Sequence, residues 1–250
     1  MLSNWAVTCA DADALPRAQA LARRWEVPLL ARPEETGVVL EVGTQALALH
    51  LTGPNAPGPL RIDFTSGAMR QRLRTSGRRS LIGRALGFSR RPPALVVDAT
   101  AGLGQDGFVI AALGARVVMI ERVTPLFLLL EDALARAARH ADTAPIAARI
   151  ELVHGDARDW LAAAGERPDA VHLDPMYPKR SRHALSAKGM QLAQHLAGDD
   201  ADAPALLEAA RSRAPRVAVK RPNRAGPLGG VEPQARVEGR KTRYDLYLQP

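Results

Sequence analysis

The sequence predicts an α/β protein, a Rossmann-like doubly wound sheet preceded by a small N-terminal α+β unit. Three observations carry that reading. From Arg91-Pro92-Pro93 onward, short aliphatic runs alternate with helical segments, the pattern of a parallel sheet with crossover helices. The first run, Leu95-Val96-Val97-Asp98, passes through Gly102-Leu103-Gly104-Gln105-Asp106-Gly107 into a helical stretch from Phe108 to Leu113, a strand, glycine loop and helix in succession. Finally, the carboxylates Asp98, Glu121, Asp156 and Asp174 all fall at or just after the ends of such runs, where open α/β sheets form their ligand crevice.

Taken in order, the N-terminal unit contains short apolar runs at Trp5 to Thr8, Gly37 to Glu41, Ala46 to Leu51 and Leu60 to Asp63, with a helix over Ala12 to Trp25. Gly43-Thr44 predicts a hairpin turn, and the proline-rich stretch Thr52 to Pro59 a loop. The strands of the large sheet are expected at Ala94 to Asp98, Arg116 to Ile120, Arg149 to Val153, Ala170 to Asp174 and Arg216 to Lys220. Between them, Pro125 to His140 carries Leu126, Leu129, Leu130, Ala133, Leu134 and Ala137 on one helical stripe, a core-facing pattern. Ala235 to Glu238 and Tyr244 to Leu248 flank Gly239 as a closing hairpin. The division expected is 1–88 for the cap and 89–250 for the sheet domain.

Composition bounds the function. The single cysteine, Cys9, excludes an internal disulfide and a Cys-x-x-Cys metal site. No apolar run approaches the ~18 residues of a membrane span, and the N-terminus lacks a signal pattern, so a cytoplasmic protein is expected. Of the 34 Lys and Arg residues behind the net charge of +8, only four are lysine, a bias that a GC-rich genome also produces. Distribution says more: from Thr65 through Val97 there is no acidic residue, while Arg70, Arg72, Arg74, Arg78, Arg79, Arg84, Arg90 and Arg91 all lie there. Such a run suits phosphate tracking, on a mobile segment or a pair of short helices. Lys179, Arg180 and Arg182, and then Lys220 and Arg221, extend the basic set.

Gly102, Gly104 and Gly107 satisfy G-x-G-x-x-G, and Glu121 stands where an acidic side chain would hold a ribose. A nicotinamide cofactor fits that spacing. Two carboxylates tilt the reading toward S-adenosylmethionine, which has a ribose diol but no pyrophosphate. Asp98 at the strand end suits an ammonium group and repels a phosphate, and Asp106 in the first helical turn adds negative charge to the pole that would bind one.

Asp174-Pro175-Met176-Tyr177-Pro178 follows the apolar run Ala170 to Leu173. A carboxylate and the Pro175 carbonyl can accept hydrogen bonds from a planar exocyclic amine while Tyr177 stacks on its ring. The chemistry this suggests is in-line methyl transfer to that amine without a covalent intermediate. His154 and His172, each among apolar neighbours, read as satisfied core or rim residues. Asp156 and Asp159 lack the surrounding phosphate-binding chemistry of a magnesium site, so no metal is expected.

Together, Asp98-Ala-Thr-Ala-Gly-Leu-Gly-Gln-Asp106, Glu121-Arg122, Asp174-Pro-Met-Tyr-Pro178 and Val219-Lys220-Arg221-Pro222 resemble the ribosomal RNA small subunit methyltransferase J family. The resemblance extends from Ile62-Asp63-Phe64 to the last strand. It implies S-adenosylmethionine-dependent methylation of a guanosine N2 amine in small-subunit (16S) ribosomal RNA, with the RNA or the assembling subunit as partner. It further implies cofactor contacts at Gln105, Asp106, Glu121, Arg122, Asp156, Ala157 and Asp174. Asp156-Ala157 stands where some members carry small hydroxyl residues and looks like the general methyltransferase carboxylate that receives an adenine amine. The residues themselves leave open a DNA adenine or protein amide as methyl acceptor, a nicotinamide oxidoreductase, and a noncatalytic RNA-binding module.

Overall fold

The computed structural model describes residues 5–31, 37–53, 56, 58–163, 165–175 and 202–249. The N-terminal unit comprises β1 (Trp5–Cys9), a 3-10 turn (Ala12–Ala14), α1 (Leu15–Trp25), β2 (Gly37–Val42) and β3 (Leu47–Thr52). Its strands form one sheet in which β1 runs parallel to β2 and β2 antiparallel to β3 across the hairpin at Gly43. Asp11 caps the 3-10 turn by accepting from the Ala14 N–H at 2.9 Å, and α1 ends on Glu26 in the left-handed region.

The expected strand at Leu60 to Asp63 is reduced to one bridge, Leu49 to Leu60. Asp63 Oδ1 accepts from both the backbone N–H and the hydroxyl of Thr65, at 2.8 and 2.7 Å, which turns the chain instead of extending it. Ile62 and Phe64 point inward, and Ser66 then caps α2 (Gly67–Thr75). A second short helix, α3 (Leu81–Ala85), follows, so the arginine-rich segment is a helix pair.

The large sheet contains β4 (Leu95–Asp98), β5 (Arg116–Glu121), β6 (Ile150–His154), β7 (Ala170–Leu173), β8 (Arg216–Pro222), β9 (Ala235–Glu238) and β10 (Thr242–Leu248). Their order is β6-β5-β4-β7-β8-β10-β9, parallel through β8, with β10 inserted antiparallel between β8 and β9. The crossovers carry α4 (Gln105–Ala112), α5 (Thr124–Ala137), α6 (Ala144–Ala147), α7 (Ala157–Ala162) and α8 (Ala203–Arg213). Because the chain leaves β4 first toward β5 and later returns to pair with β7 on its other side, the order reverses at β4 and opens a crevice at the strand ends.

Burial follows the period of two along each strand. Val96, Val117 and Met119 join the core on one face, whereas Leu95, Val97, Val118 and Ile120 join the core on the other. The first face is covered by α4, α5 and the N-terminal unit, the second by α7 and α8. This double cover explains why α5 is apolar beyond one stripe: Leu126, Leu129, Leu130, Ala133 and Ala137 are buried, but so are Phe127 and Leu128, since α5 contacts both the large sheet and β3.

An acidic residue inside that helix ties the two units together. Asp132, with 5% of its side chain exposed, accepts from Arg17 at 2.6 Å, from the buried Leu47 N–H at 3.2 Å and from Arg136 Nε at 2.9 Å. Asp132→Ala leaves a buried donor and a largely buried guanidinium without their acceptor. A loss of about 1–3 kcal/mol is expected in urea unfolding, and a midpoint unchanged from wild type would contradict this role.

Candidate active site

A cleft opens at the carboxyl ends of β4 to β7. It is lined by Ala99, Thr100 and Gly102 after β4, Glu121 to Val123 after β5, Gly155 to Arg158 after β6, Asp174-Pro175 after β7, and Asp202, Ala203 and Leu206 at the start of α8. Ile120, Leu126, Ala157 and Leu206 give it apolar walls, so an aromatic heterocycle could be buried between them.

Glu121 is the buried acidic group of this cleft, 6% exposed. Its Oε2 accepts from the Gly102 N–H and its Oε1 from the Val123 N–H, each at 2.8 Å. Loss of hydration outweighs those bonds and pushes its carboxyl up to about 7. Each oxygen has a further lone pair for a hydroxyl group. Gly104 holds φ +69°, and a Cβ there would lie 2.5 Å from Leu130; one on Gly107 would lie 2.8 Å from Asp98 Oδ2. Those two glycines let the loop and α4 pack directly on the sheet. Gln105 is exposed at the start of α4.

Asp98 does not line the cleft. Cα register pairs it with His172 on β7, and its Oδ1 lies 3.1 Å from His172 Nδ1, both side chains being 1% exposed. Facing a buried imidazole, Asp98 cannot present itself to a ligand's ammonium as the sequence suggested. His172 Nε2 meets the Tyr244 hydroxyl at 3.3 Å and lies 3.8 Å from Asp106 Oδ2. Burial opposes the charged imidazole, but the nearby carboxylates of Asp98, Asp106 and Asp174 prevail, and its pKa is raised. His172 is thus a satisfied core residue within a polar cluster, while His154 stands at the rim, bonded to Thr124 and packed on Trp25 and Phe127.

The same cluster absorbs two residues assigned by sequence to RNA. Lys220 Nζ lies 2.8 Å from Asp106 Oδ2 and 2.7 Å from Asp174 Oδ2, and Arg72 bonds Asp106 Oδ1. Both cations are engaged by carboxylates, although 26% of the Lys220 side chain and 38% of the Arg72 side chain remain exposed, so neither is a free phosphate contact. Burial disfavours the ionised Asp106, but Lys220, His172 and Arg72 hold it well below the ordinary carboxylate range. Asp174 differs: lost hydration, joined by the charge of Asp106, outweighs Lys220 and raises its pKa, although 39% of the side chain remains exposed. Its N–H donates to Thr100 Oγ1 at 2.7 Å, fixing the turn into Pro175.

At the other end of the cleft, Asp156 caps α7 by accepting from the Arg158 N–H at 2.8 Å and forms a two-pronged pair with the Arg158 guanidinium. That hydrogen bonding lowers its pKa. Asp202 joins Arg158 at 3.3 Å and Arg122 at 2.7 Å, making an ion-pair chain along the rim. Ala157 is buried in the wall.

Arg70, Arg74, Arg78 and Arg79 are exposed on α2 and the loop to α3. Arg221 is only 5% exposed and its Nε donates to the Gly226 carbonyl at 3.0 Å, which makes it part of the β8 turn rather than an RNA-facing residue. Tyr177, Lys179, Arg180 and Arg182 lie outside the described residues. Sequence reasoning missed Thr100, Arg158, Asp202 and Tyr244; only Asp202-Ala203-Pro204 carried a signal, that of a helix start. Among the described residues no group of His, Cys, Asp and Glu is arranged to hold a metal, and no helix is long and apolar enough to cross a membrane.

A family model described as SAM-dependent methyltransferase matches residues 20–249. The chain is 48% identical over 243 residues to the ribosomal RNA small subunit methyltransferase J of Thioalkalivibrio sulfidiphilus, covering 96% of this chain and 95% of that one. It is 45% identical over 244 residues to the protein of the same name from Pseudomonas paraeruginosa, with 96% and 93% covered. The crystal structure of the SAM-dependent methyltransferase NGO1261 from Neisseria gonorrhoeae superposes with a TM-score of 0.78 at 35% identity, over 98% of this chain and 96% of the other.

The buried Glu121 predicts a pH signature. Its folded pKa of about 7 stands above the ordinary 4.5, so its contribution to stability is full below pH 4.5 and is lost as pH rises through about 7. The thermal stability of ligand-free wild type should fall over that window relative to Glu121→Gln, by on the order of 3 kcal/mol. Parallel melting curves for the two proteins would show that Glu121 is not titrating there.

Proposed function

The chain belongs to the ribosomal RNA small subunit methyltransferase J family, and from that premise we propose that it transfers a methyl group from S-adenosylmethionine to the N2 amine of a guanosine in small-subunit ribosomal RNA. The observation that carries the reading is the placement of Asp174-Pro175 on the wall of the cleft that also contains Glu121, at the point where the strand order reverses. The residues present fit this cofactor. Glu121 suits its ribose hydroxyls, the Ala157 and Leu206 walls its adenine, and Asp156 the adenine amine. Gly102, Gly104, Gln105, Asp106, Arg122 and Asp174 complete the proposed binding set, with Asp98 supporting it from behind through His172. A dinucleotide fits poorly, because the start of α4 carries the ionised Asp106 where a pyrophosphate would require a positive pole.

When bound, the cofactor supplies an electrophilic methyl on a sulfonium. The protein must supply a nucleophile, and a guanine N2 lone pair is delocalised into its ring. Asp174 and the Pro175 carbonyl accept the two amine hydrogens, which favours a pyramidal nitrogen. Lys220 takes Oδ2 of Asp174; the second oxygen, Oδ1, faces the task of accepting. One such bond to a charged group is worth about 1.5–3 kcal/mol, or roughly ten- to a hundredfold in rate if it is made in the transition state. The amine becomes acidic once methylated and loses its proton to Asp174 or to water. Tyr177 is assigned to stacking on the base.

Residues 1–88 serve in this reading as a cap whose exposed Arg70, Arg74, Arg78 and Arg79 engage phosphates, joined by Lys179, Arg180 and Arg182. The substrate is ribosomal RNA, free or within the assembling subunit, met in the cytoplasm.

Tritiated methyl transfer to purified small subunits, to their deproteinised RNA and to duplex DNA tests the proposal. Label recovered as N2-methylguanosine in small-subunit RNA, and lost in Asp174→Ala, is the expected result; label only in DNA would overturn it. The arginine assignment has its own readout. Arg78→Ala/Arg79→Ala should weaken RNA binding and flatten its dependence on log salt concentration by about two contacts, while kcat at saturating RNA stays near wild type. An unchanged salt slope would remove these two residues from the interface.

A further inference from the structure

Lys220 has a place in the molecule that neither the fold nor RNA binding explains. It leaves β8 opposite Tyr244 of β10 in the antiparallel register, on the face of the sheet where Asp98 and His172 also project. Most positions on that face are apolar: Val96, Ala170, Ala218 and Leu246 all join the buried core there. A lysine inserted into this row is half-buried, with 26% of its side chain exposed, and its Nζ bridges two carboxylates at 2.7 and 2.8 Å. The two are not equivalent. Asp106 has a second cation, Arg72, and a nearby imidazole, His172. Asp174 faces Lys220 at 2.7 Å and is the more exposed acid, 39% against 13%.

We infer that Lys220 is the positioning residue of the methyl-transfer site, holding Asp174 as an oriented carboxylate, so that its other oxygen accepts from the substrate amine. This rests on the function proposed above. A compact ammonium suits the task, since it delivers a full charge to two oxygens within hydrogen-bond distance. Without it, no described cation would bridge the oxygens of Asp174 and Asp106. Two carboxylates in one poorly hydrated site do not both ionise readily. The groups bearing on Asp174 are Asp106 of α4, His172 of β7, Lys220 of β8 and Tyr244 of β10; behind them Arg72 of α2 acts on Asp106 and Asp98 of β4 on His172. Of these, Lys220 is the cation in direct contact with it.

Lost hydration already raises the Asp174 pKa against the pull of Lys220. A carboxyl with a raised pKa is a charged acceptor, with both oxygens free of a proton, only above that value, so removing Lys220 moves the activity threshold to higher pH. The test compares kcat/KM for small-subunit RNA at saturating S-adenosylmethionine over the pH range in which the protein stays folded, for wild type, Lys220→Met, Lys220→Gln and Lys220→Arg. The two neutral variants should show their acid limb displaced upward, losing about tenfold in activity at the acid end for each unit of displacement, and should approach wild type at alkaline pH. Lys220→Arg should restore the wild-type limb. Cofactor titration and thermal melting, run alongside, check that each variant is folded.

A uniform drop with an unmoved limb in Lys220→Met and Lys220→Gln would overturn the inference and leave Lys220 as packing. If neither neutral variant folds, Lys220→Arg decides: a limb coincident with wild type supports the role of charge, and a displaced one overturns it. No methylation of any RNA by wild type would instead sink the proposed function, and with it the premise of the assay.

Discussion

Three carboxylates, Asp98, Asp106 and Asp174, gather at the carboxyl ends of the central strands, and much of the molecule is organised to make that arrangement tolerable. Two like charges about 4 Å apart repel by about 4 kcal/mol at an effective dielectric of 20. Each carboxylate therefore needs an opposite partner, and the partners come from distant parts of the chain. His172 comes from β7, Lys220 from β8 and Arg72 from α2, with Tyr244 of β10 bonding the far nitrogen of the imidazole. With His172 protonated, three negative groups meet three positive ones. The sheet order, the inserted antiparallel β10 and the docking of α2 against α4 are all required to bring those six charges into one place.

A second buried acid does for the N-terminal sheet what this cluster does for the ends of the central strands. Asp132 receives bonds from α1, from the backbone of β3 and from within α5. The N-terminal sheet shares a continuous hydrophobic core with the large sheet, since Leu40, Leu49 and Phe64 join the same core as Phe108 and Leu128. Apolar contact alone tolerates sliding, whereas an acceptor shared by three elements fixes register. Because Phe64 stacks on Phe108 at 4.3 Å with near-parallel rings, the start of the arginine-bearing helix pair is held against α4. The basic surface is thereby placed in a fixed relation to Asp106 and the cleft.

The large sheet was legible in the sequence because burial on both faces gives each strand an apolar run and because proline and glycine mark its limits. The glycine loop and three of the four strand-end carboxylates, Glu121, Asp156 and Asp174, located the crevice for the same reason: the backbone requirement is written in residue types. What the sequence did not disclose is pairing across strands. Asp98 and His172 are 74 positions apart, and only their register makes them partners. Lys220 and Arg221 read alike as basic residues after a strand. One is directed by pleat parity toward Asp106 and Asp174, and the other toward the Gly226 carbonyl. Leu60 to Asp63 read as a strand from its apolar residues, and the local bonds of Asp63 to Thr65 overrode that preference.

Charge is also sorted by depth. Among the described residues, the cations that line the cleft, Arg122 and Arg158, and those of the cluster beside it, Arg72 and Lys220, are each bonded to a carboxylate, so their attraction for phosphate is reduced where the reaction is proposed to occur. Exposed arginines, among them Arg70 and Arg74 on α2 and Arg78 and Arg79 on the loop to α3, stand outside it. A polyanion would accordingly be drawn to these exposed arginines by long-range attraction, while the cations that line the cleft are already paired with carboxylates. That separation matters for an amine acceptor. A phosphate reaching the floor would compete with Asp174 for Lys220, whereas a base entering on a phosphate chain held at the rim leaves the Lys220 to Asp174 contact in place. In the proposed reaction, the ion pair that engages Lys220 is therefore the same contact that preserves Asp174 as an acceptor for the base.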